Sequence, residues 1–102
     1  MTLKFDNNTL ASTLGAGAII DGTGPGTVTI TSFLNNNVPS AGAGGILVTD
    51  AVFDANPAVA GFQTVAGGVS AIGSSGTRVT GDGLNLQDVQ GALAYTGLSI
   101  FN

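Results

Sequence analysis

The chain of 102 residues has no cysteine, histidine, tryptophan or glutamate, and Lys4 and Arg78 are its only basic side chains. Each absence removes a class of function. Without cysteine there is no disulfide scaffold, and redox compartment is left undecided. Without histidine or cysteine there is no Ser-His-Asp or Cys-His nucleophile system, no zinc ligand set and no imidazole base. Two basic residues and a net charge of −4 cannot supply the clustered cations that phosphate contacts need, so nucleic acid is excluded as a partner. Lysine, arginine and glutamate are also the usual exposed helix formers, and their scarcity argues against a helical protein. Charged residues make up 8% of the chain against a typical value of about 25%. The hydrophobic fraction of 43% separates it from disordered segments, which combine high charge with few apolar residues. No apolar run has the length of a membrane span, and residues 1–6 lack the regions of a signal peptide.

What is present is glycine, 17 residues of it, with threonine, serine, asparagine and six aspartates. Between turn clusters the apolar residues keep period two, which predicts strands at 3–5, 18–20, 27–33, 46–53, 62–65, 69–72, 78–80, 84–89, 93–95 and 98–101. Residues 10–14 and 54–58 could each form a helical turn or a cap. One pattern recurs: Gly45-Ile-Leu-Val-Thr-Asp50, Gly83-Leu-Asn-Leu-Gln-Asp88 and Gly97-Leu-Ser-Ile-Phe-Asn102 each read glycine, aliphatic, any, aliphatic, any, Asp or Asn. It places two aliphatics on one face of a short strand between two turn residues. Val28, Ile46, Val65 and Leu84 fall at near-equal steps along the chain, which predicts a solenoid turn of roughly 19 residues. The fold class expected is therefore all-β, a right-handed parallel β-helix (solenoid) of roughly five short rungs in a single domain, 1–102. The Gly97 copy comes too soon for a full turn and is read as the next face of the same one. The alternative is a small antiparallel β-sandwich. In the solenoid Ile46, Val48, Leu84, Leu86, Leu98 and Ile100 point inward, and Phe33 and Phe53 are core residues.

Residues 81–102, together with Gly44 to Asn56, resemble the right-handed parallel β-helix repeats of large bacterial surface proteins, of the adhesin and autotransporter-passenger type. The resemblance covers roughly residues 26 to 102 and carries over no functional residue. It implies an extracellular or cell-surface setting, with any export signal outside this chain, as Met1 directly before strand-like sequence suggests for an excised segment. Related β-helix families include pectate lyases and tailspike glycosidases, but the acid clusters with a basic partner that the lyases use are not readable here.

Only carboxylate chemistry is left. Asp50 and Asp88 occupy equivalent positions and could stack like a glycosidase pair, although aspartate after a strand usually serves a turn. Asp82 and Asp88 faintly match a calcium-binding nonapeptide, without tandem copies. Gly15-Ala-Gly17 and Gly22-Thr-Gly24-Pro-Gly26 precede strands rather than helices, so they are turns and not phosphate loops. Thr27-Val-Thr-Ile-Thr31 is one rung of a threonine face, too little for an ice-binding array. Tyr95 is the one candidate for sugar stacking. The expectation is thus no catalysis, no cofactor and no metal, with the chain itself as partner. The terminal strands carry that contact, Leu3 and Phe5 at one end against Leu98, Ile100 and Phe101 at the other, because nothing polar or helical caps them. A phage or viral fibre or capsid-decorating protein and a glycan-binding adhesin module are the alternatives.

Overall fold

Runs in which aliphatic and threonine side chains alternate with polar ones bury a face only when extended, and the Gly, Asn and Asp between them end each run early. The computed structural model describes residues 1–11 and 14–102, and among the described residues it holds eleven strands and no helix. They are β1 (Thr2–Lys4), β2 (Thr9–Ala11), β3 (Ala18–Asp21), β4 (Val28–Ser32), β5 (Asn37–Ser40), β6 (Ile46–Thr49), β7 (Ala51–Phe53), β8 (Val65–Ile72), β9 (Leu84–Gln87), β10 (Gln90–Gly91) and β11 (Leu93–Ile100).

These strands make three sheets: sheet A in the order β1-β4-β7-β10, sheet B in the order β2-β5-β8-β11, and sheet C in the order β3-β6-β9. Followed along the chain, the strands go to A, B and C in turn and then repeat that order. Every pairing is parallel. The antiparallel sandwich is thereby overturned, since a sandwich of hairpins needs antiparallel neighbours.

The predicted even period and its five rungs are also overturned. Ala18 lies opposite Ile46, and Ile46 lies opposite Leu84, so neighbouring strands of sheet C are separated by much more chain than predicted, and by unequal amounts. Val28 pairs with Ala51, and Val65 pairs with Leu93, so neither belongs to the sheet of Ile46. The spacing varies because the corners differ in length. Asp50 alone joins sheet C to sheet A in the second pass, whereas residues 22–27 do so in the first. Residues 54–64 and 73–83 are two longer excursions in the third pass. The Gly97 copy lies in sheet B while the Gly45 and Gly83 copies lie in sheet C, so it is on another face, but not the next face of the same turn, because β10 of sheet A comes between.

One core is shared by all three sheets: Ile30 and Phe53 from A, Val38, Val65 and Ile72 from B, and Ile46 and Val48 from C, each almost fully buried. Phe33 sits at its centre, with Phe5 and Phe53 at ring-centroid distances of 5.2 and 5.9 Å. The three-residue step from Ile30 to Phe33 breaks period two because a bulge intervenes, Leu3 pairing with Ile30 but Lys4 with Ser32. A bulge also admits Pro39 to the interior strand β5: Thr9 to Ala11 spans two steps opposite the three from Asn37 to Ser40, and the extra residue needs no ladder bond.

Two of the predicted elements shift. β2 and β5 are strands the hydrophobic pattern does not announce, because each buries few side chains and β5 contains proline. Residues 78–80 are not a strand, and Phe62, 54% exposed, belongs to the outer loop rather than to a strand. The possible turn at 10–14 falls partly outside the described residues, and 54–58 is a turn without helix.

Candidate functional site

The aspartates are set by backbone geometry. Asp50 and Asp88 have φ of 51° and 52°, the left-handed conformation that turns the chain from sheet C into sheet A, within one residue at Asp50 and within two at Asp88 and Val89. They stack in adjacent layers, the Asp50 N–H donating to the Gln87 carbonyl at 3.0 Å, and flank a shallow recess of about 260 Å³ with Thr27 and Gln90. Their positions are thus brought together as the sequence suggested, and the turn conformation accounts for both. Asp82 lies before β9 and Asp88 after it, a separation of about 20 Å in extended chain. They cannot share one ion. Asp82 instead accepts from the Asn85 amide at 2.9 Å. Among the described residues no three metal-ligating side chains of His, Cys, Asp or Glu converge.

The other carboxylates hold loops. Asp6 accepts from the Ser32 hydroxyl and the Leu34 N–H, both at 2.8 Å. Asp54, nearly buried, accepts from the N–H groups of Asn56 and Gln63 at 3.1 and 3.0 Å and so closes the outer loop of sheet A. Asp21 accepts from the Thr23 hydroxyl and N–H, which holds its carboxyl below the usual carboxylate range.

At the corner between sheets A and B the asparagines form two columns. The Asn35 amide donates to the Asn7 side-chain oxygen at 3.1 Å, both residues being left-handed. Asn36 is fully buried: its oxygen accepts from the Asn8 amide at 2.9 Å, its amide donates to the Phe5 carbonyl at 2.8 Å, and its N–H donates to the Ser70 hydroxyl at 3.1 Å. The stacked asparagines of this bend therefore form a satisfied polar seam.

Tyr95 does not offer an open stacking face with a free hydroxyl. Its ring packs against Gly67 and edge-on to Phe33 at 6.4 Å, and its hydroxyl is buried with no partner, which pushes its pKa up to about 12. The exposed Tyr95 that a glycan-binding module requires is not the one observed.

The remaining feature is the two poles of the sheets. β1, β2 and β3 are edge strands at one pole, and β9, β10 and β11 at the other, each hydrogen-bonded along one side only. Of the six residues expected to point inward, Ile46 and Val48 are buried, Leu84 and Leu98 are half-buried, and Leu86 and Ile100 are 39% and 41% exposed. The difference follows from position. Leu86 pairs with buried Val48 and Ile100 with buried Ile72, so each continues a core column, but each stands in the last strand of its sheet with no layer over it.

Leu3 and Phe5 are half-buried at the β1 pole, and Leu98 and Phe101 are half-buried beside Ile100 at the β11 pole. The two groups belong to different sheets, A and B. Outside the poles, the outer face of sheet C carries Ile19, 63% exposed, beside Leu47 and Asn85 over a glycine-lined groove. No helix of the described residues is long and apolar enough to cross a membrane. Comparison with protein-family models, with curated proteins and with solved structures gives no match.

Proposed function

We propose that this chain is a structural, self-associating module of β-solenoid type, a right-handed parallel β-helix of a bacterial surface or extracellular protein, which builds a rigid rod or filament and performs no catalysis. The observation that carries the reading is the open pole: Ile100 and Leu86 extend columns that are sealed one layer below, at Ile72 and Val48. A parallel edge strand with an uncovered apolar face is a template for another strand. The cyclic order of the sheets supports the coil, because a chain that returns to the same three sheets around one core advances by one layer per cycle. Both poles then offer the same kind of surface with strands running the same way, and a head-to-tail contact keeps all pairing parallel. Such a contact is heterologous and does not close.

The site chemistry agrees with a passive role. The described carboxylates serve turns and loop closures, and the polar side chains of the buried seam bond one another. Light scattering and negative-stain imaging of the wild type against Ile100→Lys test the reading. Concentration-dependent filaments from the wild type, lost in the variant, are expected. A wild type that stays monomeric at high concentration overturns it.

A further inference from the structure

Of the two long excursions from the coil, residues 73–83 are polar and residues 54–64 are not. The second leaves β7 and returns at β8, both interior strands of their sheets, so it stands on the side of the molecule, away from either pole. It is held from within. Besides the two N–H groups gathered by the Asp54 carboxylate, the Ala55 N–H donates to the Gln63 carbonyl at 2.9 Å and the Val59 N–H to the Asn56 carbonyl at 3.1 Å. A loop closed at its base by its own groups is an Ω-type loop, a form in which binding residues concentrate. Every residue from 55 to 62 is exposed and none is charged, and Val59 and Phe62 stand 48% and 54% open to solvent. Covering a phenylalanine on a loop already fixed costs little further ordering.

A concavity of matching chemistry lies elsewhere on the chain. Ala43, Gly44 and Gly81, at the corner between sheets B and C, join Ile19 and Leu47, on the outer face of sheet C, to line a groove of about 420 Å³. Its volume falls in the range of roughly 300–1,000 Å³ that holds compact apolar groups. The one charged lining residue, Asp82, already accepts from the Asn85 amide, so the groove calls for an apolar occupant.

We infer that the loop of one copy seats in the sheet C groove of another, with Phe62 as the anchor, as a lateral contact between copies. Sheet B separates the two features within one chain, and the exposure of residues 55–62 shows that the loop does not fill its own groove. Charge points to the same occupant. Two copies at a net charge of −4 repel, and the loop is a surface on which they approach without bringing a charge. An aromatic side chain seated in a pocket is the usual anchor of such contacts. The ring buries roughly 150–250 Å², well short of the approximately 800 Å² that each partner covers in a stable pair, so a single seat is weak. Knob and groove lie on different faces, so the contact is heterologous and propagates. Along rods of the kind proposed above many seats act in parallel, and the rods bundle. Bundling rests on that reading, whereas the contact itself does not use the edge strands.

The chain has no tryptophan, so Phe62→Trp places a single fluorescent reporter on the loop. With Ile100→Lys in the same chain to block the poles, the emission is expected to move to shorter wavelength as concentration rises, and Ile19→Lys in the groove to abolish that shift. Three results overturn the inference: emission that keeps its exposed position up to the solubility limit, a shift that survives Ile19→Lys, or a shift brought on only by phosphatidylcholine vesicles, which would make the occupant lipid. In the wild type, negative-stain images are expected to show bundled filaments that Phe62→Ser separates into single ones of the same length. Wild-type filaments that lie singly count against the contact, and a concentration-dependent shift without any filaments supports it while overturning the end-to-end reading.

Discussion

Gly45 lies against Ile72 of the next layer so closely that a Cβ on Gly45 would run into the Ile72 Cγ2 methyl as well as the Gly83 carbonyl oxygen. The same contact recurs one layer down, where a Cβ on Gly17 would come within 2.6 Å of Val38, and one layer up, between Gly83 and Ile100. A glycine column thus lets the branched side chains of sheet B tuck under the start of each strand of sheet C. This is the physical content of the glycine that opens the Gly45 and Gly83 copies of the recurring pattern, and backbone on the facing side means the methyl of alanine cannot be absorbed by a rotamer change.

Gly45→Ala is therefore expected to lower stability by about 2 kcal/mol or more, the scale of overpacking a tight core. Gly24→Ala is the control, because nothing lies within 4 Å of its added methyl, and its change should stay within about 0.5 kcal/mol. Chemical denaturation of both variants decides it. Equal effects would remove the packing account of the column.

Asn36 tests the polar seam. Asn36→Ala takes the amide from the Phe5 carbonyl and the oxygen from the Asn8 side chain while both remain partly buried, so a loss of about 2 to 3 kcal/mol is expected. A loss no larger than that of an exposed asparagine, as in Asn56→Ala, would show the seam to be solvated.

Asp50 separates backbone from carboxylate roles. With φ at 51°, glycine should serve as well, and Asp50→Gly is expected to change stability by less than about 1 kcal/mol, whereas Asp50→Val, branched in a left-handed position, should lose about 2 kcal/mol. If glycine and valine were equally harmful in thermal melts, the side chain rather than the turn would be what the fold uses.

Tyr95 gives a pH signature. Its folded pKa, about 12, lies above the ordinary 10.0 because burial disfavours the phenolate, so the unfolded chain loses the proton first as pH rises. The stability this group contributes is fully present below pH 10 and is lost between about 10 and 12. Tyr95→Phe should flatten that alkaline limb and, by removing a buried hydroxyl with no partner, raise neutral-pH stability by about 1 kcal/mol. Because Tyr95 is the only tyrosine and there is no tryptophan, phenolate absorbance follows it directly. A phenolate appearing near 10 in the folded protein would contradict the burial.

The all-β class and the buried places of Phe33, Phe53, Ile46 and Val48 were legible, because period-two runs between turn residues admit few other structures. The layer spacing was not. Val28 and Ile46 are equally apolar and equally spaced whether they stack in one sheet or turn into the next, and the corner lengths that decide between these are set by single residues such as Asp50. Nor could the pattern show that Leu86 and Ile100 stand uncovered. Their columns are the same as those of Val48 and Ile72, and only the strand order places them at an open pole.

The most direct test of the account is X-ray diffraction from aligned filaments of the wild-type chain. Strands that stack from subunit to subunit run across the filament axis, so a strong reflection near about 4.8 Å is expected on the meridian. The same reflection on the equator, or its absence from well-aligned filaments, would contradict assembly through the edge strands.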